Sequence, residues 1–265
     1  MTYLDHASNS PVRPDVAAAV TDAMVRYIGD PGRVHQAALA TRVAIETARE
    51  QVAVCVGATP REVVFTGTGT EAVNAAIFGA ARDGAVVRSA VEHSAVRDAV
   101  ARSGAKDIVV GVDRVGRVDA DAFIAALTDD TALACIQFAN HEVATLQPVA
   151  EIVAAARARN ITTFVDARAA FGHVALDFAA LGADLCAITA HTAGGPTGVG
   201  ALLVRRGVRI EPLIVGGAQE RARRAGTEHT AGIVGFGVLA ELLTPERVAE
   251  EGARNRAQKI GRAHV

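Results

Sequence analysis

Lysine is the residue whose scarcity matters most in this chain. Among 265 residues only Lys106 and Lys259 occur, so arginine carries nearly all of the positive charge. An arginine side chain does not form the imine that a lysine amine forms with an aldehyde. Chemistry that needs a lysine imine therefore has at most two candidate residues. Tryptophan is absent and aromatic residues make up 4% of the chain, so the core must consist mostly of Ala, Val, Leu and Ile.

Other features that the sequence lacks exclude further classes of protein. Cys55, Cys135 and Cys186 are isolated and form no CxxC pair, so we expect core thiols, with no disulfide framework and no metal site. The first residues have no pattern of a secretory signal, and no uncharged apolar stretch is long enough to span a bilayer. A formal net charge of -2 favours neither nucleic acid nor an anionic membrane as a partner. We expect a cytoplasmic protein.

The hydrophobic pattern alternates between helical and strand periodicity, which predicts an α/β fold. Strands separated by helices run parallel and are joined by crossovers, so we expect a mainly parallel sheet sandwiched by helices. In such sheets ligands bind beyond the carboxyl ends of the strands. Helices are predicted at 13–28, 37–56, 71–82, 94–102, 119–127, 149–159 and 229–243, and strands at 63–65, 86–87, 108–110, 132–138, 162–165, 185–189 and 201–204.

Three features follow predicted strands. Residues 66–70 (TGTGT) form either a phosphate-binding loop at a helix N-terminus or an ordinary turn with Thr70 as the helix N-cap. Asp166 ends a strand and is either a partner for a protonated ring nitrogen or a helix cap. A single histidine such as His93 is more often structural than catalytic.

Eight short motifs follow one another along the chain. They are YLDHA (3–7), FTGTGTEA (65–72), VEH (91–93), NHEVATLQP (140–148), VDA (165–167), TAHTAGGPTGVGA (189–201), GGAQER (216–221) and RAGT (224–227). In order and spacing they resemble the cysteine-desulfurase family of fold-type-I pyridoxal-phosphate enzymes, and the resemblance extends from Tyr3 to about Leu243.

The resemblance implies the large domain of such an enzyme, with pyridoxal 5′-phosphate as its cofactor. It also implies a homodimer, an L-cysteine-like substrate and a sulfur-acceptor protein as partner. Asp166 would pair with the ring nitrogen, and His93 would stack on the ring and move protons. Thr227 would reach the phosphate of the partner subunit's cofactor. The phosphate of the chain's own cofactor would be held by Gly69, Thr70, Thr189 and His191.

The family pattern is broken at several positions around the cofactor ring. Thr192 stands where the family has its Schiff-base lysine, so covalent attachment is not expected. His141 replaces an Asn and Ala169 a Gln, both of which would contact the ring hydroxyl. We expect the substitution Thr192→Lys to restore the amine, with the turn 193–195 leaving room for it.

The resemblance also suggests a division of the chain. Residues 1–15 would contribute to the cleft, 16–258 would form the large domain, and 259–265 would be a non-native tail. We expect the family's C-terminal small domain to be missing, together with its persulfide cysteine and its carboxylate-binding arginine.

Three hypotheses for function remain open at this point. The first is a cysteine-desulfurase-like protein by descent that is inactive as this chain. The second is an enzyme that holds pyridoxamine phosphate without a lysine and uses His191 or His141 as base. The third is a pseudoenzyme subunit that pairs with an active paralogue or binds a sulfur-acceptor protein.

Overall fold

A seven-stranded sheet forms the centre of the molecule, in the order β1-β7-β6-β5-β4-β2-β3. The computed structural model describes residues 3–81 and 84–258. β7 runs antiparallel to both of its neighbours, and the other pairs of neighbouring strands are parallel, which confirms the prediction of a mainly parallel sheet. The strands are β1 (Val63–Thr66), β2 (Ala85–Ser89), β3 (Lys106–Val110), β4 (Thr131–Gln137), β5 (Thr162–Asp166), β6 (Leu185–Thr189) and β7 (Gly200–Val204).

Helices cover both faces of the sheet, so the central strands are apolar on both sides. One face packs against α2, α5, α6 and α9, and the other against α3 and α4. The helices are α1 (Pro14–Arg26), α2 (Gln36–Cys55), α3 (Gly69–Ala80), α4 (Ser94–Ser103), α5 (Ala120–Ala126), α6 (Val149–Ala158), α7 (Phe178–Leu181), α8 (Gln219–Ala222), α9 (Thr230–Leu242) and α10 (Pro245–Gln258).

The final helix was not predicted from the sequence. Residues 245–258 (PERVAEEGARNRAQ) are strongly polar, and among the side chains described, those of residues 245–254, only Val248 packs against the main core cluster. A helix with so little apolar surface gives a weak periodic signal. The last seven residues, 259–265, which we interpreted as a tail, lie outside the described residues.

The N-terminus of α3 also differs from the expected arrangement. The side chain of Thr68, and not that of Thr70, caps the helix by accepting a hydrogen bond from the Glu71 backbone N–H at 3.0 Å. The alternative that Thr70 is the N-cap is therefore wrong. Thr70 lies within the first turn of α3 and is exposed. This end of the helix faces the region just beyond β5 and β6.

Candidate functional site

A cleft of about 320 Å³ opens at the carboxyl ends of the parallel strands. This is where a sheet of this topology is expected to bind its ligands. Among its lining residues are most of the positions selected from the sequence, namely His93, His141, Asp166, Ala169, Thr189, His191 and Thr192. Asp5, Ala7 and Ser8 of the N-terminal segment line the cleft as well.

Thr227 and Thr70 do not line this cleft. Thr227 borders a separate, small cavity together with Gly67 and Arg224. Arg224 pairs with Glu71 of α3 through Nε at 2.8 Å, and Glu71 also accepts a hydrogen bond from the Gly67 backbone N–H. Thr227 is exposed and lies outside the cleft of its own chain.

Arg168 dominates the polar contacts of the cleft, and the sequence analysis missed it. Its Nε donates to Oδ1 of Asp166 at 2.8 Å and its Nη2 donates to Oδ2 at 2.6 Å. The Arg168 backbone N–H also reaches Oδ1, at 3.2 Å. The two side chains are 12% and 6% exposed, so the pair is shielded from water. A two-point arginine–carboxylate pair of this kind is among the stronger charge-assisted contacts in proteins.

The aliphatic part of Arg168 extends from Asp166 toward the N-terminus of α3. A Cβ atom added at Gly69 would collide with Cδ of Arg168 and lie 3.2 Å from Cβ of Thr189. The Arg168 side chain therefore fills the space between the Asp166 carboxylate and Gly69. We call this space the ring seat. The available signal in the sequence was a charged residue two positions after the aspartate that ends β5, within an otherwise apolar stretch.

The ring seat provides a direct test of whether pyridoxal phosphate fits this site. A cofactor with its ring nitrogen at Asp166 and its phosphate at Gly69 must place its ring between these two residues. Arg168 occupies that volume and already uses both carboxylate oxygens. The N-terminus of α3, with Thr189 and His191 nearby, suits a phosphate group, but the residues as arranged do not accommodate the ring.

Thr192 lies at the bottom of the cleft in a tightly packed turn. Its hydroxyl donates to the backbone carbonyl of Arg168 at 3.0 Å, and the residue is 6% exposed. A Cβ atom at Gly195 would lie 2.7 Å from Cβ of Ala190, so the turn has no spare volume. The turn 193–195 is therefore tightly packed at Gly195, contrary to the expectation of a roomy turn. Thr192 itself borders the cleft, and a lysine at this position would extend into it.

The environment of the cleft favours the neutral form of two of its histidines. Burial, followed by the positive charge of Arg168, lowers the pKa of both His93 and His191. His93 Nδ1 accepts a hydrogen bond from the Ala95 backbone N–H at 3.0 Å and thereby caps α4. The rings of His93 and His141 are 5.0 Å apart, tilted by 53°. His191 Nδ1 lies 2.8 Å from the Thr189 hydroxyl.

A buried carboxyl group lies behind the cleft and was not selected from the sequence. Oε1 of Glu92 accepts hydrogen bonds from the Ser89 hydroxyl at 2.6 Å and the Gln137 backbone N–H at 2.9 Å. Oε2 of Glu92 has no hydrogen-bond partner among the described residues. Burial raises the pKa of Glu92 to about 8, and the negative charge of Asp166 adds to this effect. Glu92 is therefore largely protonated at neutral pH.

None of the three cysteines is suited to accept sulfur. Cys135 and Cys186 are fully buried, and burial raises the pKa of each thiol well above its ordinary value. Burial also raises the pKa of Cys55 to about 11. Because the thiolate is the nucleophile, thiols with such pKa values are unreactive at neutral pH.

The chain was compared with protein families and known proteins. The family model described as "Aminotransferase class-V" matches residues 2–263. A cysteine desulfurase IscS of Methanosarcina thermophila is 41% identical over 252 residues, which cover 92% of this chain and 62% of that protein. A cysteine desulfurase IscS of Dictyoglomus turgidum is also 41% identical, with 92% of this chain and 64% of that protein covered.

Solved structures agree with the sequence comparisons. A NifS-like protein superimposes with a TM-score of 0.92 at 31% identity, covering 97% of this chain and 74% of that one. SspA, solved in complex with cysteine, has a TM-score of 0.90 at 31% identity and covers 98% and 77%. The present chain thus spans about two thirds of the length of the curated relatives that it matches.

In residues 3–81 and 84–258, no helix is long and apolar enough to cross a membrane, and no cluster of potential metal ligands is found.

Proposed function

The chain belongs to the class-V aminotransferase family, in its cysteine-desulfurase branch, and on that premise we propose that it is a non-catalytic member of the branch. Proteins of this family depend on pyridoxal phosphate. In this proposal the protein keeps the large-domain fold and the phosphate-binding end of the site. It does not anchor the cofactor covalently and does not release sulfur from cysteine.

One observation supports this proposal: the hydroxyl of Thr192, which the motif resemblance assigns to the family's lysine position, donates to the Arg168 carbonyl. A hydroxyl forms no imine, and no lysine among the described residues lines the cleft. Lys106 begins β3 at the edge of the sheet and does not line the cleft, and Lys259 lies outside the described residues.

The geometry disfavours the alternative of a pyridoxamine-phosphate enzyme. His191 and His141 both border the cleft, as that hypothesis needs. Pyridoxamine phosphate, however, has the same ring and the same protonated nitrogen as pyridoxal phosphate, so it needs the same ring seat. Arg168 occupies that seat, and the positive guanidinium would also repel a second cation at Asp166.

We further propose that the protein acts through protein–protein contacts, first of all as a homodimer. Six large apolar side chains between residues 24 and 43 are more than half exposed. They belong to Met24, Val25, Ile28, Val34, Leu39 and Val43. Such a concentration of exposed apolar residues is typical of an interaction surface. Thr227 would then face the site of the second subunit.

The relationship with desulfurases defines which other partners should be tested. An L-cysteine-like amino acid is the substrate class, and a sulfur-acceptor protein is the partner class. SspA, a structural relative, was solved with cysteine bound. For this chain we expect neither cysteine turnover nor transfer of sulfur to an acceptor.

Trapping of the cofactor by borohydride tests the proposal without requiring turnover. The protein is incubated with pyridoxal phosphate, reduced, digested and analysed by mass spectrometry, with a full-length cysteine desulfurase as positive control. We expect a stoichiometric adduct on the control and none on Lys106 or Lys259 of this chain. A stoichiometric adduct on either lysine, or sulfide release from cysteine, would contradict the proposal.

Sedimentation tests the proposed dimer. We expect a dimer for the unmodified chain and a shift to monomer for Leu39→Glu, because a buried carboxylate disrupts an apolar interface. Val109→Glu, at the exposed edge strand β3, is the control and should remain dimeric. A monomeric wild-type protein would count against this part of the proposal.

A further inference from the structure

We infer that Arg168 acts as a built-in substitute for the cofactor: its guanidinium occupies the ring seat, pairs with Asp166 in place of a pyridinium, and excludes pyridine cofactors from the site. The inference rests on the proposed function, since it describes how a member without the lysine keeps a stable site. Arg168 would thus determine which ligands the site accepts, in addition to the effect of the missing lysine.

The contacts of Arg168 correspond to what a cofactor would supply. A pyridinium nitrogen offers Asp166 one positively charged N–H group, and Arg168 offers two, at 2.6 and 2.8 Å. The side chain then continues to Gly69 at the N-terminus of α3, along the path that a ring and its phosphate would take. The carboxylate and the glycine that would hold the two ends of a cofactor are thus connected by one side chain of the protein.

Burial makes this arrangement necessary for the stability of the protein without cofactor. Asp166 ends β5 in the middle of the sheet and is 5% exposed. A carboxylate in such a place is costly unless it is paired. Arg168 supplies the compensating charge from within the chain.

The fixed position of the guanidinium argues against a freely moving gate. Besides its two side-chain bonds, Arg168 is held by its backbone N–H, which donates to Asp166, and by its carbonyl, which accepts from Thr192. The side chain that replaced the lysine therefore bonds to the residue that fills the ring seat. A cofactor must break two buried charge-assisted hydrogen bonds in order to enter.

A cofactor analogue without the aldehyde tests the inference separately from imine chemistry. The probe is 4′-deoxypyridoxine 5′-phosphate, which cannot react with any amine, and binding is measured by isothermal titration calorimetry. The proteins are wild type, Arg168→Ala and the control Arg97→Ala. Arg97 is exposed and acts on His93 only through its charge, so its removal leaves the ring seat filled.

We expect Arg168→Ala to bind the analogue at least ten-fold more tightly than wild type, and Arg97→Ala to bind like wild type. The melting temperature of Arg168→Ala should be lower without ligand and should rise when the analogue is added, while that of wild type should not change. Equal affinity of wild type and Arg168→Ala, or no binding by either, would overturn the inference.

A measurement on the wild-type protein keeps the inference testable if Arg168→Ala does not fold. Only the phosphate end of the analogue is expected to fit, so wild type should bind the analogue no more tightly than inorganic phosphate. Binding that is ten-fold tighter than that of inorganic phosphate would show that the ring seat is open and would overturn the inference. Since the analogue forms no imine, this result is independent of the borohydride experiment that tests the proposed function.

Discussion

Arg49 of α2 and Glu220 of α8 form a buried two-point ion pair across 171 positions of sequence, with N–O distances of 2.6 and 2.8 Å. Both side chains are at most 4% exposed. Glu220 also accepts a hydrogen bond from the Phe65 backbone N–H at 2.9 Å. The pair therefore anchors the segment around α8 to β1 and α2, although Glu220, Arg221 and Ala222 all have left-handed backbone angles that are unfavourable for side-chain-bearing residues.

The substitution Glu220→Gln should destabilise the protein strongly. It leaves the buried guanidinium of Arg49 with only the exposed Glu46 as a counter-charge, which costs roughly 3–5 kcal/mol. Urea unfolding at neutral pH measures the difference. The control is Glu46→Gln, which removes a 44%-exposed partner of Arg49 and Arg221 and should cost about 1 kcal/mol or less. Similar losses of stability in the two variants would show that burial does not make the Arg49–Glu220 pair more stabilising than the exposed pairs of Glu46.

A second ion pair makes the attachment of α10 depend on pH. His173 Nδ1 lies 2.9 Å from Oε1 of Glu251, and His173 Nε2 lies 3.1 Å from the Thr192 carbonyl. The contact with Glu251 raises the pKa of His173, and the contact with His173 lowers the pKa of Glu251. The stabilisation by His173 is complete below its ordinary pKa of 6.5 and is lost as pH rises through the higher pKa of the folded protein.

Glu251→Gln should therefore reduce stability at pH 6 by about 1 kcal/mol or less, because both side chains are partly exposed. At pH 9 the effect of the substitution should be smaller, because the protonated fraction of His173 falls as pH rises. Hydrogen exchange of residues 245–254 at the two pH values measures the change locally. Glu250→Gln, on the same helix but exposed, should show no such pH dependence. A loss of protection in Glu251→Gln that is equal at pH 6 and pH 9 would contradict the proposed link.

The buried Glu92 should make the folded protein less stable as pH rises. Its pKa of about 8 lies above the ordinary value of 4.5, so between these two values the folded state holds a proton that the unfolded state has released. Each pH unit in this window costs about 1.4 kcal/mol of stability. Glu92→Gln cannot ionise and can still accept the bonds from Ser89 and Gln137.

The prediction is that Glu92→Gln flattens the fall in stability between pH 6 and pH 8, as measured by urea midpoints. Glu142→Gln, which alters a 79%-exposed side chain, should behave like wild type. If the stability of wild type and that of Glu92→Gln depend on pH in the same way, Glu92 does not carry the proton that we assign to it.

A lysine at position 192 should restore cofactor attachment only when the ring seat is vacated. We expect Thr192→Lys alone to give no borohydride-stable adduct with pyridoxal phosphate, and Thr192→Lys with Arg168→Ala to give one at residue 192. Loss of the bond from the Thr192 hydroxyl should cost about 0.5–1.5 kcal/mol in both variants. Thr192→Lys combined with Arg97→Ala is the matched control. An adduct in the single variant would show that Arg168 does not block the seat.

Much of the fold was readable from local sequence. Apolar residues repeat with the period of a helix or a strand within a few positions, so all seven strands and seven of the helices were predicted within a few residues. The motifs, read in order, also identified the family. They indicated where chemistry belongs, because residues that follow parallel strands meet at one edge of the sheet, as His93, Asp166 and His191 do.

The state of the site was decided by tertiary structure. No local pattern shows that Arg168 turns back onto Asp166 and reaches Gly69, about a hundred positions earlier in the chain. The partnership of Arg49 with Glu220 and the contact of Glu251 with His173 likewise join distant segments. Sequence periodicity reports which face of an element is buried. The direction of a long, charged side chain is fixed only by the charges and the free volume that the folded chain brings around it.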